Sequence, residues 1–253
     1  MKRFLNWKVT FGVLLLSLSF TFYAIHFTIF RDTHHIFLYL IGDIAFLFID
    51  VFIVVLVLDQ LMEYRQKREL MQKLNMVIGT FFSEVGTGLM RQFSRFDPAA
   101  ARFGASLIVT DEWDDRKFRE IHRLVTEYDC GIESRAEDLE AVRNFLKERR
   151  SFLLGLLQNP NLLEHESFSN LLWAVFHLTD ELIHRGDLSR LPAADLKHLA
   201  GDMRRAYRML IDEWLEYMKH LKTNYPYLFS LAIRTNPFDA NASVEIREPA
   251  AAG

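Results

Sequence analysis

Two carboxylates lie where water should not reach. Asp43 and Asp50 sit inside "FLYLIGDIAFLFIDVFIVVLVLD", residues 37–59, a run apolar enough for lipid. They are seven residues apart, so at about 100° per residue they share one helix face. An Asp at the centre of a membrane span costs about 2.5–3.5 kcal/mol, and each Leu, Ile, Phe or Val offsets about 0.3–0.6. The 18 such residues between Ile36 and Leu58 contribute roughly 8 kcal/mol at most, and the two aspartates cancel roughly 6. With so thin a margin, the carboxyl groups are expected to face protein. Two chemistries are open to them: hydrogen-bonding between helices as neutral acids, or relay of a proton or cation. Ser17, Thr21, Ala24 and Thr28 recur at helical spacing in the preceding apolar run and offer small residues and hydroxyls for the first. The link between the runs, "RDTHH", is too short for a pore loop, which favours the bonding role and leaves transport as the alternative.

His26, His34 and His35 cluster with Asp32 around that link. Such a set binds divalent metals or titrates near the ordinary histidine value of about 6.5, and it also occurs in turns with no special role. A third group is "ELIH", where Glu181 and His184 have the Glu-x-x-His spacing of di-iron carboxylate bundles, with an echo in Asp195 and His198 of "DLKH". Ligands of that kind point into a bundle. Counting along the helix, His177, Glu181 and His184 turn away from the inward stripe Phe168, Leu171, Leu172, Val175, Thr179 and Leu182, and His198 turns away from its own helix's stripe. No metal is therefore expected there. Trp173 shares this outer face and makes Trp173, His177, Glu181 and His184 a candidate partner surface. Cys130, the one cysteine, has no neighbouring His to activate it and excludes an intrachain disulfide. The chain lacks a Walker loop, a Gly-x-Gly-x-x-Gly turn, a kinase set and a paired-cysteine zinc pattern. No catalytic residue and no cofactor is assigned.

The positioning elements are all helical. Val9–Phe30 is 22 residues without a charged side chain, and Ile36–Leu58 is 23 residues, each long enough to cross about 30 Å of hydrocarbon. The first is too long for a signal-peptide core. Lys2, Arg3, Lys8, Arg65, Lys67 and Arg68 flank the pair on one side, and Arg31 is offset by Asp32 on the other. The positive-inside rule then places both termini in the cytoplasm of a bacterial-type inner membrane. Residues 61–96 read as a helical stem, with Gly79, Gly86 and Gly88 marking close helix packing. The break "DPAAARFG" precedes a helical bundle at 105–235, built from four amphipathic patterns. Ser134 and Glu137 form a capping box for the second pattern, and residues 236–253 read as a flexible tail. The expected fold is all-α: a two-span hairpin (1–60), a stem and a cytoplasmic bundle. A net charge of −3 gives no field for nucleic acid. The expected role is a membrane-anchored adaptor, signalling or regulatory subunit without its own catalysis. It would be homo-oligomeric, in contact with lipids and with a protein partner. An enzyme with an unrecognised cytoplasmic site is a third alternative.

Overall fold

In the computed structural model, which describes residues 2–132 and 136–245, the chain is all-helical, with no strand among the described residues. It divides into two compact units, Met1–Lys67 and Arg68–Gly253.

The first unit holds α1 (Lys2–Phe30) and the first part of α2 (Thr33–Phe81). Local chemistry reverses the chain between them. Arg31 adopts a left-handed φ of 50°, and its N–H donates to the Phe27 carbonyl at 2.9 Å. Asp32 then caps α2, its Oδ1 accepting the His35 N–H at 3.2 Å. Both helices are long and apolar enough to cross a membrane. Their large apolar side chains, from Val9 through Leu61, are exposed. That is far more contiguous apolar surface than soluble monomers carry. The hydroxyls of α1 turn back on their own helix: Ser17 donates to the Val13 carbonyl, Thr21 to that of Ser17 and Thr28 to that of Ile25, each at 2.8 Å.

The second unit begins with the last turns of α2. These continue through a π-turn (Phe82–Gly86) into α3 (Thr87–Phe96), then α4 (Ala100–Ala105), α5 (Asp115–Glu127), α6 (Ala136–Leu157), α7 (Glu166–His184), α8 (Ala193–Asn224) and α9 (Pro226–Arg234). Short 3-10 turns at Pro160–Glu164 and Leu188–Arg190 flank α7. The boundary expected at residues 97–104 is not where the structure divides. Leu74, Ile78, Phe81, Phe82, Val85, Leu89, Met90, Phe93 and Phe96 are buried in one core with α5 to α9. Phe81 meets Phe168 edge-on at 5.3 Å and Phe93 meets Tyr207 at 5.8 Å. The supposed stem is thus an inner wall of the bundle. Its apolar stripe looked free only because its partners lie far along the chain. Through the π-turn Phe82, Val85 and Gly86 stay buried beside Phe81, so the inward face runs on from α2 into α3.

Two glycines permit this close approach. A Cβ on Gly79 would lie 2.7 Å from the Tyr217 hydroxyl, and one on Gly88 would lie 2.7 Å from the Phe145 ring. Both close approaches are made within the chain. The tail expectation also needs correction for residues 236–245. Asn236 is fully buried, its Nδ2 donating to the Leu107 carbonyl at 2.9 Å. Phe238 packs on Trp214 at 5.5 Å, and Arg234 donates to the Val244 carbonyl at 2.7 Å. Polar, turn-forming composition hid one asparagine with a buried carbonyl to satisfy. Residues 246–253 and the capping residue Ser134 lie outside the described residues.

Among the described residues three acids are buried, Asp97, Asp202 and Glu213. Glu213 is only 5 % exposed, and burial holds its carboxyl above the usual range, partly opposed by Ser167 and His165. A carboxyl raised in the folded state stabilises while protonated, and this contribution is lost as pH rises from the ordinary value of about 4.3 through the folded one. Glu213→Gln cannot ionise. Its melting temperature relative to wild type should therefore be higher at pH 8 than at pH 4, as read by thermal unfolding at both. An unchanged difference would show that Glu213 is not desolvated.

Candidate functional site

α7 and α8 present the densest set of ligand-type side chains. α7 starts where His165 accepts the Phe168 N–H on its Nδ1 at 3.3 Å. It stops at Arg185, whose backbone is extended. Asp187 caps the short turn that follows, accepting the Ser189 N–H at 2.9 Å, and Pro192 immediately precedes α8. So short a link packs the two helices as antiparallel neighbours. Their inner stripes match the periodicity: Phe168, Leu171, Leu172, Val175, Leu178, Thr179 and Leu182 on α7, and Leu199, Met203, Tyr207, Leu210, Trp214 and Leu221 within α8 are buried.

Beside these stripes, each helix carries a histidine followed four residues later by an acid: His177 and Glu181 on α7, His198 and Asp202 on α8. Residues four apart lie one above the other on a helix face, and the antiparallel pairing brings the two pairs together. Asp202 is only 4 % exposed, while both imidazoles are about half exposed. The Nε2 atoms of His198 and His177 lie 3.3 and 3.6 Å from Asp202 Oδ2. Each also lies 3.8 Å from a Glu181 carboxylate oxygen. One ligand atom from each of His177, His198 and Asp202 lies within 4.8 Å of the others. That Oδ2 accepts no hydrogen bond among the described residues.

Arginine orients the surroundings. Arg185 grips Asp195 with two bonds, Nε to Oδ2 at 2.8 Å and Nη2 to Oδ1 at 2.7 Å, and its Nη1 also donates to Glu181 Oε2. The hydrogen bond from Arg185 holds the Glu181 carboxyl below the usual carboxylate range, opposed by burial. Arg205 lies 3.3 Å from Asp202 Oδ1, so Oδ2 is the oxygen turned to the imidazoles.

The cluster differs from the Glu-x-x-His reading. His184 leaves it, its Nδ1 lying 2.8 Å from the Asp180 carbonyl, and Asp195 is taken by Arg185. His177, Glu181 and His198 do lie outside the inward stripes, but the seam between the helices gathers them. Asp202 was missed. The signal was present as two consecutive helices that each carry His-x-x-x-acid, "HLTDE" and "HLAGD". Trp173 is 57 % exposed, and its ring stands edge-on to that of Phe176 on the same helix, with centroids 6.5 Å apart.

In the first unit, Asp43 lines an open cleft of about 550 Å³ with Ser19, Tyr23, His26, His35 and Tyr39. From α1 the cleft is bordered by Ser19, Tyr23 and His26 among others. Ser17 and Thr21 satisfy their own backbone, and Asp50 is exposed. Asp43 and Asp50 are both exposed in the single chain. His26 stacks on His35 at 6.2 Å, Asp32 is engaged as the α2 cap, and His34 is exposed. These four do not form a metal-holding group among the described residues.

Cys130 is buried, its thiol 3.8 Å from the Arg204 carbonyl, and burial pushes its pKa up to about 11. Such a thiol is protonated at neutral pH and a poor nucleophile. An open groove of about 540 Å³ runs along Asn75, Gly79, Ser83, Tyr217, His220 and Leu231.

These features define an all-helical protein with two long apolar N-terminal helices and a histidine–carboxylate cluster on a helical bundle. The chain belongs to the MJ1433 family. Residues 2–62 match the family described as MJ1433, N-terminal helical domain, and residues 70–234 match Uncharacterized protein MJ1433, C-terminal helical domain. It is 44% identical over 243 residues to Uncharacterized protein MJ1433 of Methanocaldococcus jannaschii, covering 96% of this chain and 97% of that protein. The interval between the two family matches contains the structural division at 67/68. No solved structure matches the chain.

Proposed function

We propose that this chain is a membrane-anchored adaptor, signalling or regulatory subunit that performs no catalysis of its own. In this reading α1 and α2 cross an inner membrane as a hairpin, with spans at about 9–30 and 36–58 and both termini in the cytoplasm. The bundle from Arg68 onward is the working part. It engages a protein partner through the face around Trp173, and copies associate through their hairpins. The observation that supports the reading is the contrast between the units. The apolar side chains of the first are exposed, whereas the second carries its own buried core. An anchor needs lipid around it, and a cytoplasmic module needs a core independent of lipid.

The test uses single cysteines in a Cys130→Ser background and an impermeant thiol reagent on intact cells. Thr33→Cys should label, and Ala252→Cys should label only after permeabilisation. A photo-crosslinking residue at Trp173 should give one discrete higher-mass species, and the same residue at exposed Arg190 should not. Labelling at Ala252 alone overturns the topology, and equal crosslinking at both positions overturns the partner face. Proton flux into vesicles that disappears in Asp43→Asn would replace this reading with transport.

A further inference from the structure

We infer that His177, His198 and Asp202, with Glu181 as a fourth donor, form a binding site for a first-row divalent metal ion of the zinc type. The inference stands apart from the anchored-adaptor reading and does not need it.

The distances carry the argument. Charge-assisted N–H···O bonds close to about 2.7–2.9 Å. The imidazole nitrogens here stay 3.3 and 3.6 Å from Asp202 Oδ2, too long for such bonds. Bonds of about 2.0–2.1 Å from a tetrahedral zinc ion place neighbouring ligand atoms about 3.3 Å apart. The two distances to Asp202 Oδ2 are therefore near the edge length of a coordination tetrahedron, and the ligand atoms all lie within 4.8 Å of one another. An ion between them would engage all three at once.

Burial supplies a second, independent observation. Asp202 is 4 % exposed, and its Oδ2, the oxygen aimed at both imidazoles, accepts no hydrogen bond among the described residues. A buried carboxylate oxygen without a partner is costly to maintain, and a cation removes that cost. The flanking groups suit a metal too. Arg205 reaches the other oxygen of Asp202, and Arg185 holds Glu181 in place. Counting Glu181, Asp195 and Asp202 against Arg185 and Arg205, acids exceed guanidiniums by one, so the pocket still attracts a cation. Two imidazoles with carboxylate donors select zinc-like ions over magnesium or calcium, which prefer all-oxygen shells. The half-exposed imidazoles leave the ion open to solvent on one side.

The full chain, purified in detergent without a polyhistidine tag, is titrated with Zn²⁺ by calorimetry and with Co²⁺ by visible absorption. Wild type should bind one equivalent, give the strong visible bands of tetrahedral cobalt, and resist displacement by millimolar Mg²⁺. His177→Ala/His198→Ala should weaken Zn²⁺ binding by more than about 100-fold, since losing a mere supporting partner already costs 10–100-fold. Asp202→Asn should lose the cobalt bands with helicity by circular dichroism retained. His34→Ala/His35→Ala should bind as wild type does. No stoichiometric binding in wild type, equal binding in the His177/His198 variant, or loss in the His34/His35 variant each overturns the site.

Discussion

A fragment of residues 68–253 should fold by itself with a cooperative helical melt, and a fragment of residues 105–235 should not. The two differ chiefly in α3 and the last turns of α2. Those turns supply nine buried apolar residues, Leu74, Ile78, Phe81, Phe82, Val85, Leu89, Met90, Phe93 and Phe96. Full burial of such a side chain contributes about 1.5–3 kcal/mol, so their loss removes roughly 15–25 kcal/mol of favourable transfer. Domains have net stabilities of about 5–15 kcal/mol. The shorter fragment also exposes the faces of Phe168 and Tyr207 that Phe81 and Phe93 cover. It also loses the tail anchor, since Asn236 and Phe238 fall outside it. Circular dichroism and thermal melts of both fragments read the outcome. A cooperative melt of 105–235 at the temperature of the longer fragment would show that α3 is only appended to the core.

Phe93→Ala should lower the unfolding free energy of the 68–253 fragment by about 3–5 kcal/mol. Phe93 has no exposed surface, and its ring meets Tyr207 edge-on at 5.8 Å and Phe96 at 6.4 Å. Truncation removes the transfer contribution of the ring and leaves a cavity between α3 and α8 that the long α8 is too well fixed to fill. Trp173→Ala is the control. It removes a larger side chain from an exposed position and should change stability by no more than about 0.5 kcal/mol. Urea unfolding of both variants gives the comparison. A loss below about 1 kcal/mol for Phe93→Ala would mean that α3 does not pack against α8 as described.

Local pattern was a sound guide to which side of each helix is buried. The α7 stripe from Phe168 to Leu182 was legible in spacing alone, because a helix face depends only on residues three and four apart. The reversal at residues 31–32 was legible as a short polar link, although the capping duty of Asp32 competed with its reading as a metal ligand. Composition misled in the tail, where a polar segment contains the fully buried Asn236.

What the sequence by itself determined is the helical class, the two apolar helices at the N-terminus and the helix faces. All of these follow from neighbours in the chain. What only the tertiary structure decided is which faces meet. Residues 74–96 became core because α6, α7 and α8 close over them. Two His-x-x-x-acid pairs, each unremarkable on its own helix, became one cluster because the short link after Arg185 aligns α7 and α8 in a register that turns Asp202 toward both imidazoles. Spacing along a helix is written in the sequence. Register between helices depends on the packing of the whole core, and so do the distances that join His177, His198 and Asp202.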